Sequence, residues 1–144
     1  MVVRTLQLEN EKYTEHFVDV SKESWYNSYI HIAFDNKLVF GVSETEFNPN
    51  STITRQEMTS ILGRLIKERK QLNSVNIDTT SKILESLVDN SYIADWAKVD
   101  TAILLDTKIV QGYEDGSFQP SKLGTRAESA TLICKVITYL GLFK

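Results

Sequence analysis

The chain has 144 residues, of which 42% are apolar and 24% charged, and its formal net charge is -3. This length is sufficient for a packed core, and the slightly acidic balance argues against nucleic acid as a partner, because nucleic-acid-binding domains carry basic patches. No apolar run approaches the ~20 residues of a membrane span. Charged residues interrupt the apolar start, so we find no signal peptide and expect the chain to be a fragment of a longer protein.

The first half opens with a short apolar segment. Met1–Leu6 resembles Ile61–Ile66, because both runs combine apolar residues with an arginine in the fourth place. We interpret the segment 1–9 as the last turns of a helix. Residues 10–24 are polar and predict a loop, and apolar residues at helical spacing then predict a helix near 25–36.

A second helix is predicted near 54–69. Thr54 and Glu57 have the spacing of a capping box, in which each side chain binds the backbone amide of the other residue. The apolar side chains that follow recur at helical spacing and predict one buried face. They are Met58, Ile61, Leu62, Leu65 and Ile66.

The second half predicts a linker and three helices. Residues 70–82 are rich in asparagine, serine and threonine, and helices are predicted near 79–88, 96–107 and 125–140. Thr125 and Glu128 form a second capping box. The apolar stripe behind it is Leu132, Ile133, Val136, Ile137 and Leu140. We interpret Cys134, among these residues, as a buried thiol and Gly141 as the helix stop.

The two halves share one pattern at a constant offset of seventy-one residues. The matched pairs are Trp25 and Trp96, Ile32 and Ile103, Asp35 and Asp106, Gly41 and Gly112, Phe47 and Phe118, Pro49 and Pro120, Thr54 and Thr125, Arg55 and Arg126, and Glu57 and Glu128. An offset held without a gap from the tryptophan to the following helix indicates an internal repeat.

The combined motifs resemble those of S-layer homology (SLH) domains. The pattern is Phe-x-Asp-Val, Trp, Gly-Tyr-x-Asp-Gly-x-Phe-x-Pro and Thr-Arg-Ala-Glu, found here at residues 17–20, 25, 112–120 and 125–128. The first copy departs from it, because Val42-Ser43-Glu44-Thr45 replaces the loop residues after Gly41. In the second copy, Leu87-Val88-Asp89 stands where the pattern has Phe-x-Asp-Val, so this part is only partly matched.

This resemblance implies an all-α fold of SLH-like tandem repeats, with a central helix bundle and peripheral helix-loop lobes. We accordingly divide the chain into the end of a preceding repeat's core helix and loop (1–16), a first repeat (17–70), a linker insertion with a short helix (71–87) and a second repeat (88–144). We expect the stripes of the helices at 54–69 and 125–140 to pack together. Met1–Leu6 is expected to complete their bundle, in the same molecule or by self-association with a neighbour.

The resemblance also implies a function. SLH-like domains are expected outside the bacterial cell, where they anchor proteins by binding an anionic secondary polysaccharide linked to peptidoglycan, often through a pyruvylated sugar. It implies neither catalysis nor a cofactor. The alternative is a structural spacer or protein-assembly module that kept the fold and lost the site.

The sequence supports an enzyme or a calcium-binding site less well than these two hypotheses. Carboxylates are plentiful, but no motif fixes the pair that glycoside hydrolysis needs. Glu114-Asp115-Gly116 lacks the alternating acidic positions and the distal glutamate of an EF-hand loop.

The candidate carbohydrate-binding residues are Arg126, Tyr113, Asp115, Gly112, Gly116, Trp96, Arg55 and Trp25. Several also have a structural explanation. The glycines and Asp115 are turn formers, and we interpret both tryptophans as core residues, since each opens an amphipathic helix. Tyr113 is the stronger functional residue, because a loop aromatic suits the apolar face of a sugar and the first copy has Val42 there.

The two arginines stand where helix propensity does not favour them. A cation at the partly positive start of a helix is unfavourable, so Arg55 and Arg126 need another reason. One interpretation is pairing with an acid, and Asp19, Asp89 and Asp115 are the candidates. The other is a receptor for a carboxylate such as a pyruvyl ketal, formed by a guanidinium beside free helix amides. The second is favoured for Arg126, because the Tyr113 loop leads into its helix.

Overall fold

The computed structural model describes residues 2–8, 12–72 and 77–142. In these ranges the chain forms α-helices and one 3-10 turn without a named strand, which confirms the predicted all-α class. The elements are α1 (Val2–Thr5), α2 (Asn27–Asp35), α3 (Arg55–Lys70), α4 (Ile77–Leu84), the 3-10 turn (Asn90–Tyr92), α5 (Asp95–Asp106) and α6 (Arg126–Tyr139). Parts of the predicted segments 1–9 and 70–82 lie outside the described residues.

Both predicted capping boxes are formed. The Thr54 amide donates to Glu57 Oε2 at 2.7 Å, and the Glu57 amide donates to Thr54 Oγ1 at 3.4 Å. The corresponding distances for Thr125 and Glu128 are 2.8 and 3.1 Å. The predicted stop at Gly141 is also confirmed, since this glycine follows α6 with a φ of 68° that favours glycine.

The chain divides into two compact units, Met1–Ser51 and Thr52–Lys144. In the first unit α1 packs against α2. Val3 is buried there, and the guanidinium of Arg4 donates to the Tyr29 hydroxyl at 2.8 Å. Phe17 and Ile30 belong to the apolar core of this unit. The expected bundle role of Met1–Leu6 stays a prediction.

In the second unit α3 packs chiefly on α5 and makes a smaller contact with α6. The predicted pairing of the two capped helices therefore occurs, but α5 is the main partner of α3. Gly63 allows the close approach, since a Cβ there would lie 2.5 Å from the Cβ of Asp100. Asp100 is buried, with its Oδ1 2.8 Å from Lys67 Nζ and its Oδ2 3.7 Å from Arg64 Nε. Burial raises the pKa of this carboxyl.

Two interpretations of α6 are corrected. This helix buries Leu132 and Val136, whereas the rest of the predicted stripe is only half-buried. Cys134 is exposed and not a core thiol. The reason is angular: residues two apart on a helix face different directions, so burial of Leu132 and Val136 turns Cys134 away from the core.

Candidate functional site

The Gly-Tyr-x-Asp-Gly loop of the second unit is closed by its own hydrogen bonds. The Tyr113 amide donates to the Ser117 carbonyl at 2.8 Å, and Gly116 takes a φ of 78° where glycine is favoured. Asp115 Oδ1 accepts from the Ser117 amide at 2.9 Å and from its hydroxyl at 2.6 Å. These bonds lower the pKa of Asp115. A Cβ on Gly112 would lie 3.2 Å from the Ser117 carbonyl oxygen, so both glycines and Asp115 serve the turn.

A second aspartate clamps the turn from outside. Asp89 accepts from the amides of Phe118 and Gln119 at 2.7 and 2.8 Å. Asp19 does the same in the first unit for Phe47 and Asn48, and the Phe47 amide is the largest of the contacts that lower its pKa. Among the described residues of the second unit, Asp89 and Asp115 form no ion pair with Arg55 or Arg126, so the interpretation that either of them pairs with an arginine is wrong; their carboxylates accept from backbone amides instead.

The start of α3 lies against this loop. The Arg55 amide donates to the Lys122 carbonyl at 2.8 Å, and the Gln56 amide donates to the Pro120 carbonyl at 3.0 Å. A third bond runs from the Gly124 amide to the Ile53 carbonyl at 3.0 Å. The first turn of α3 is thus held on the segment that leads into α6.

This placement brings Arg55 onto the Tyr113 loop. Arg55 Nη2 donates to the Gln111 carbonyl at 2.9 Å. Its Cζ lies 4.9 Å from the Tyr113 ring centroid and 5.1 Å from that of Phe118. Guanidinium groups at such distances are attracted to aromatic rings. Arg55 therefore contacts the loop of the following repeat.

Lys122 joins the same group, although it is not among the site residues predicted from the sequence. Its Nζ donates to the Tyr113 hydroxyl at 2.8 Å, lies 4.6 Å from the ring centroid and is 3.7 Å from Glu128 Oε1. The bond to Tyr113 raises the pKa of Lys122, so this side chain stays cationic. We call Arg55, Tyr113, Phe118, Lys122 and Glu128 the Tyr113 cluster. The repeat gave no signal for Lys122, because Ser51 stands at the matching position.

Arg126 lies outside the Tyr113 cluster. Its side chain is exposed, and its guanidinium makes no hydrogen bond, ion pair or ring contact with the described part of the chain. The structure therefore brings together Arg55 and Tyr113 but does not place Arg126 in contact with either. Its five N–H donors are open to a ligand.

The interpretation of both tryptophans as core residues is wrong. Trp25 is 81% exposed and Trp96 is 52% exposed. Trp25 precedes the first residue of α2 and contacts the neighbouring Tyr26 ring at 5.4 Å. Trp96 lies in the first turn of α5, whose buried face is formed by residues such as Ala97 and Leu104. Exposed tryptophan rings at matched repeat positions are available to a ligand.

Comparison with known proteins gives the same family at both repeats. The profile of the S-layer homology domain matches residues 16–59 and 94–130. Exoglucanase XynX of Acetivibrio thermocellus is 33% identical over 133 residues, which are 92% of this chain and 12% of that protein. Amylopullulanase of Thermoanaerobacterium thermosulfurigenes is also 33% identical over 133 residues, which are 92% of this chain and 7% of that protein.

A surface-layer protein is among the relatives as well. The surface-layer 125 kDa protein of Lysinibacillus sphaericus is 28% identical over 125 residues, which are 85% of this chain and 10% of that protein. The chain thus spans a small part of the length of these relatives. In residues 2–8, 12–72 and 77–142, no helix is long and apolar enough to cross a membrane. Because the profile covers more than half of the sequence, the chain belongs to the S-layer homology domain family, whose members bind cell-wall polymers and anchor proteins to the cell wall.

Proposed function

We propose that this chain is a non-catalytic anchoring module that holds its parent protein outside the bacterial cell by binding an anionic, pyruvylated secondary cell-wall polysaccharide. The observation that carries the proposal is the pair of cations at the Tyr113 ring, with Arg55 Cζ at 4.9 Å and Lys122 Nζ at 4.6 Å from its centroid. A loop that holds two cations at one partly exposed ring suits an acidic ligand.

The three basic side chains have different parts in this proposal. Arg55 uses Nη2 on the Gln111 carbonyl, so it mainly sets the shape and charge of the loop. Lys122 has a side chain that is 42% exposed and offers its remaining N–H donors to a carboxylate. Arg126 has its whole guanidinium open and can form two parallel hydrogen bonds with a carboxylate such as that of a pyruvyl ketal.

The aromatic residues supply contact area for sugar rings. Tyr113 itself is engaged by Arg55 and Lys122, so we assign it the role of holding the cations more than that of a stacking platform. Trp96 in the second unit and Trp25 in the first expose large flat rings. Such rings bind the apolar faces of sugars while their N–H groups remain free to donate.

A spacer or assembly role is the second candidate, and one feature of the first unit favours it there. Val42 stands at the position of Tyr113 and is 67% exposed, so the loop of this unit has neither the ring nor the hydroxyl that hold Lys122. In this reading the first unit keeps the fold without a carbohydrate site.

Sedimentation with purified cell walls tests the proposal. The chain should pellet with intact walls and stay in solution after the secondary polysaccharide has been stripped from them. Tyr113→Ala should weaken pelleting, and Val42→Ala, the matched change in the first unit, should not. Equal binding to stripped walls, or no binding to intact walls, would instead support the spacer role.

A further inference from the structure

The helices α2 and α5 end with the same residue types, but different side chains lie next to the two ends. Asp35 and Asp106 are their last residues and are matched in the repeat. Lys37 and Lys108 follow two residues later, and each takes a φ of 56°. The backbone therefore leaves the two helices in the same conformation.

In the first unit the chain's own side chain occupies this carboxylate. His16 Nε2 lies 2.7 Å from Asp35 Oδ1, and the Thr14 amide donates to Oδ2 at 3.0 Å. The imidazole ring packs on Phe34 with centroids 4.5 Å apart. Burial opposes ionisation of Asp35, but the bonds from Thr14 and His16 prevail and lower its pKa.

In the second unit a serine replaces that histidine. Ser86 precedes Asp89 by three residues, as His16 precedes Asp19, and the two aspartates clamp their turns identically. The Ser86 hydroxyl donates to the nearby Ile83 carbonyl at 2.7 Å. Asp106 is exposed, and its carboxylate has no hydrogen bond or ion pair with the described residues.

A groove of about 440 Å³ is lined by Ser86 and Asp106, which stand at the sequence positions matching His16 and Asp35 of the first unit. It runs between α4 and the end of α5, and its polar lining carries one carboxylate and two ammonium groups. The lining includes Lys82, Ser86, Leu105, Asp106, Lys108 and Val110. Gln111 and Gly112 also border it, and the Gln111 carbonyl is the acceptor of Arg55. The groove therefore adjoins the Tyr113 cluster.

We propose that this groove binds an acidic sugar residue and is a second subsite for the polymer that the Tyr113 cluster binds. This inference rests on the proposed function. Leu105 and Val110 give an apolar floor for the flat face of a pyranose ring. Asp106 accepts from a ring hydroxyl, as Asp35 accepts from His16 in the first unit. Lys82 and Lys108 supply the charge complementary to a sugar carboxylate.

Ser86→His tests this proposal, because it rebuilds the side chain that fills the same place in the first unit. The full ¹⁵N-labelled chain is titrated with glucuronic acid, with glucose as the neutral counterpart, and amide shifts are followed. Glucuronic acid should give saturable shifts at residues 82–86 and 105–112, and glucose should bind about tenfold more weakly, as expected for loss of a charge-assisted contact. Ser86→His should abolish the shifts, whereas Ser91→His, an exposed serine outside the groove lining, should keep them.

Any of the following results would overturn the proposal: no saturable shifts in these residues, equal affinity for glucose, or shifts unchanged in Ser86→His. Shifts that depend on protein concentration alone would show that a second copy of the chain occupies the groove, and this result would also overturn the proposal. Sedimentation with cell walls shows whether the groove proposal alone is wrong or whether the proposed anchoring function is wrong too. If Tyr113→Ala loses wall binding while glucuronic acid leaves the groove unshifted, the groove proposal fails and the anchoring function stands.

Discussion

Arg55 lies over the ring of Tyr113, a residue that belongs to the following repeat, with its Cζ 4.9 Å from the ring centroid. The contact joins the first turn of α3 to the loop that carries the full Gly-Tyr-x-Asp-Gly motif. It explains why an arginine is found at a helix start where the helix dipole disfavours it. The local electrostatic cost is offset by two aromatic rings and the Gln111 carbonyl.

We expect Arg55→Lys to destabilise the second unit. Lysine keeps the charge but loses the planar group that contacts Tyr113 and Phe118 while donating to Gln111. The expected loss is about 1 kcal/mol in the free energy of unfolding, measured by urea denaturation. Arg126→Lys is the matched control and should leave the free energy of unfolding unchanged, because the Arg126 side chain has no such contacts with the residues that the structure describes. Equal effects of the two variants would show that the contact over Tyr113 does not stabilise the fold.

Unlike Arg55, Arg126 should contribute to wall binding and not to the stability of the fold. Arg126→Lys should weaken binding, because lysine cannot make two parallel hydrogen bonds with a carboxylate, and Arg126→Ala should abolish it at that site. Both variants should remain folded by circular dichroism, since the side chain is exposed. A folded Arg126→Ala protein that pellets with walls like the wild type would remove Arg126 from the site.

The two capping boxes should contribute similar stability. Thr54→Ala and Thr125→Ala each remove the acceptor for the Glu57 or Glu128 amide. Each change should cost about 1 kcal/mol, visible as a lower midpoint in thermal unfolding. Serine at either position should restore most of the loss, because its hydroxyl can accept the same bond. An unchanged midpoint in both alanine variants would contradict this assignment.

Asp100 should make stability depend on pH. Burial raises its pKa in the folded state, so its protonated form is favoured by folding. Its contribution is therefore fully present below the unfolded pKa and is lost as pH rises through the folded pKa. In Asp100→Asn this dependence should disappear. The difference in unfolding free energy between wild type and variant should then move in favour of the variant as pH rises from about 3 to 7. A difference that is constant across this range, or that moves the other way, would contradict the assignment.

The sequence predicted the elements that depend on local chemistry. The capping boxes at Thr54 and Thr125 and the stop at Gly141 are set by neighbouring residues, and all three are present. Arg4 and Arg64, which hold the same place in two similar segments, contact residues at matched positions of α2 and α5, Tyr29 and Asp100; the assignment of 1–9 to a preceding repeat stays a prediction.

Contacts between distant residues could not be predicted in the same way. Helical periodicity shows that α6 has an apolar stripe but not how much of it is covered, and so Cys134 was placed inside instead of outside. The two tryptophans were misplaced for the same reason. The partner of Arg55 was missed because the repeat aligns it with its own loop, whereas the fold sets it on the next one. Lys122 has no counterpart in the first copy and so gave no signal.

The most direct test of the central claim is whether the affinity for the polymer depends on its carboxylate groups. Purified secondary polysaccharide is titrated into the full chain by calorimetry, before and after mild acid has removed its pyruvyl ketals. The intact polymer should bind, and the treated polymer should bind at least about tenfold more weakly, since the charge-assisted contacts of Lys122 and Arg126 are lost. Equal affinity for the two polymers would contradict the account.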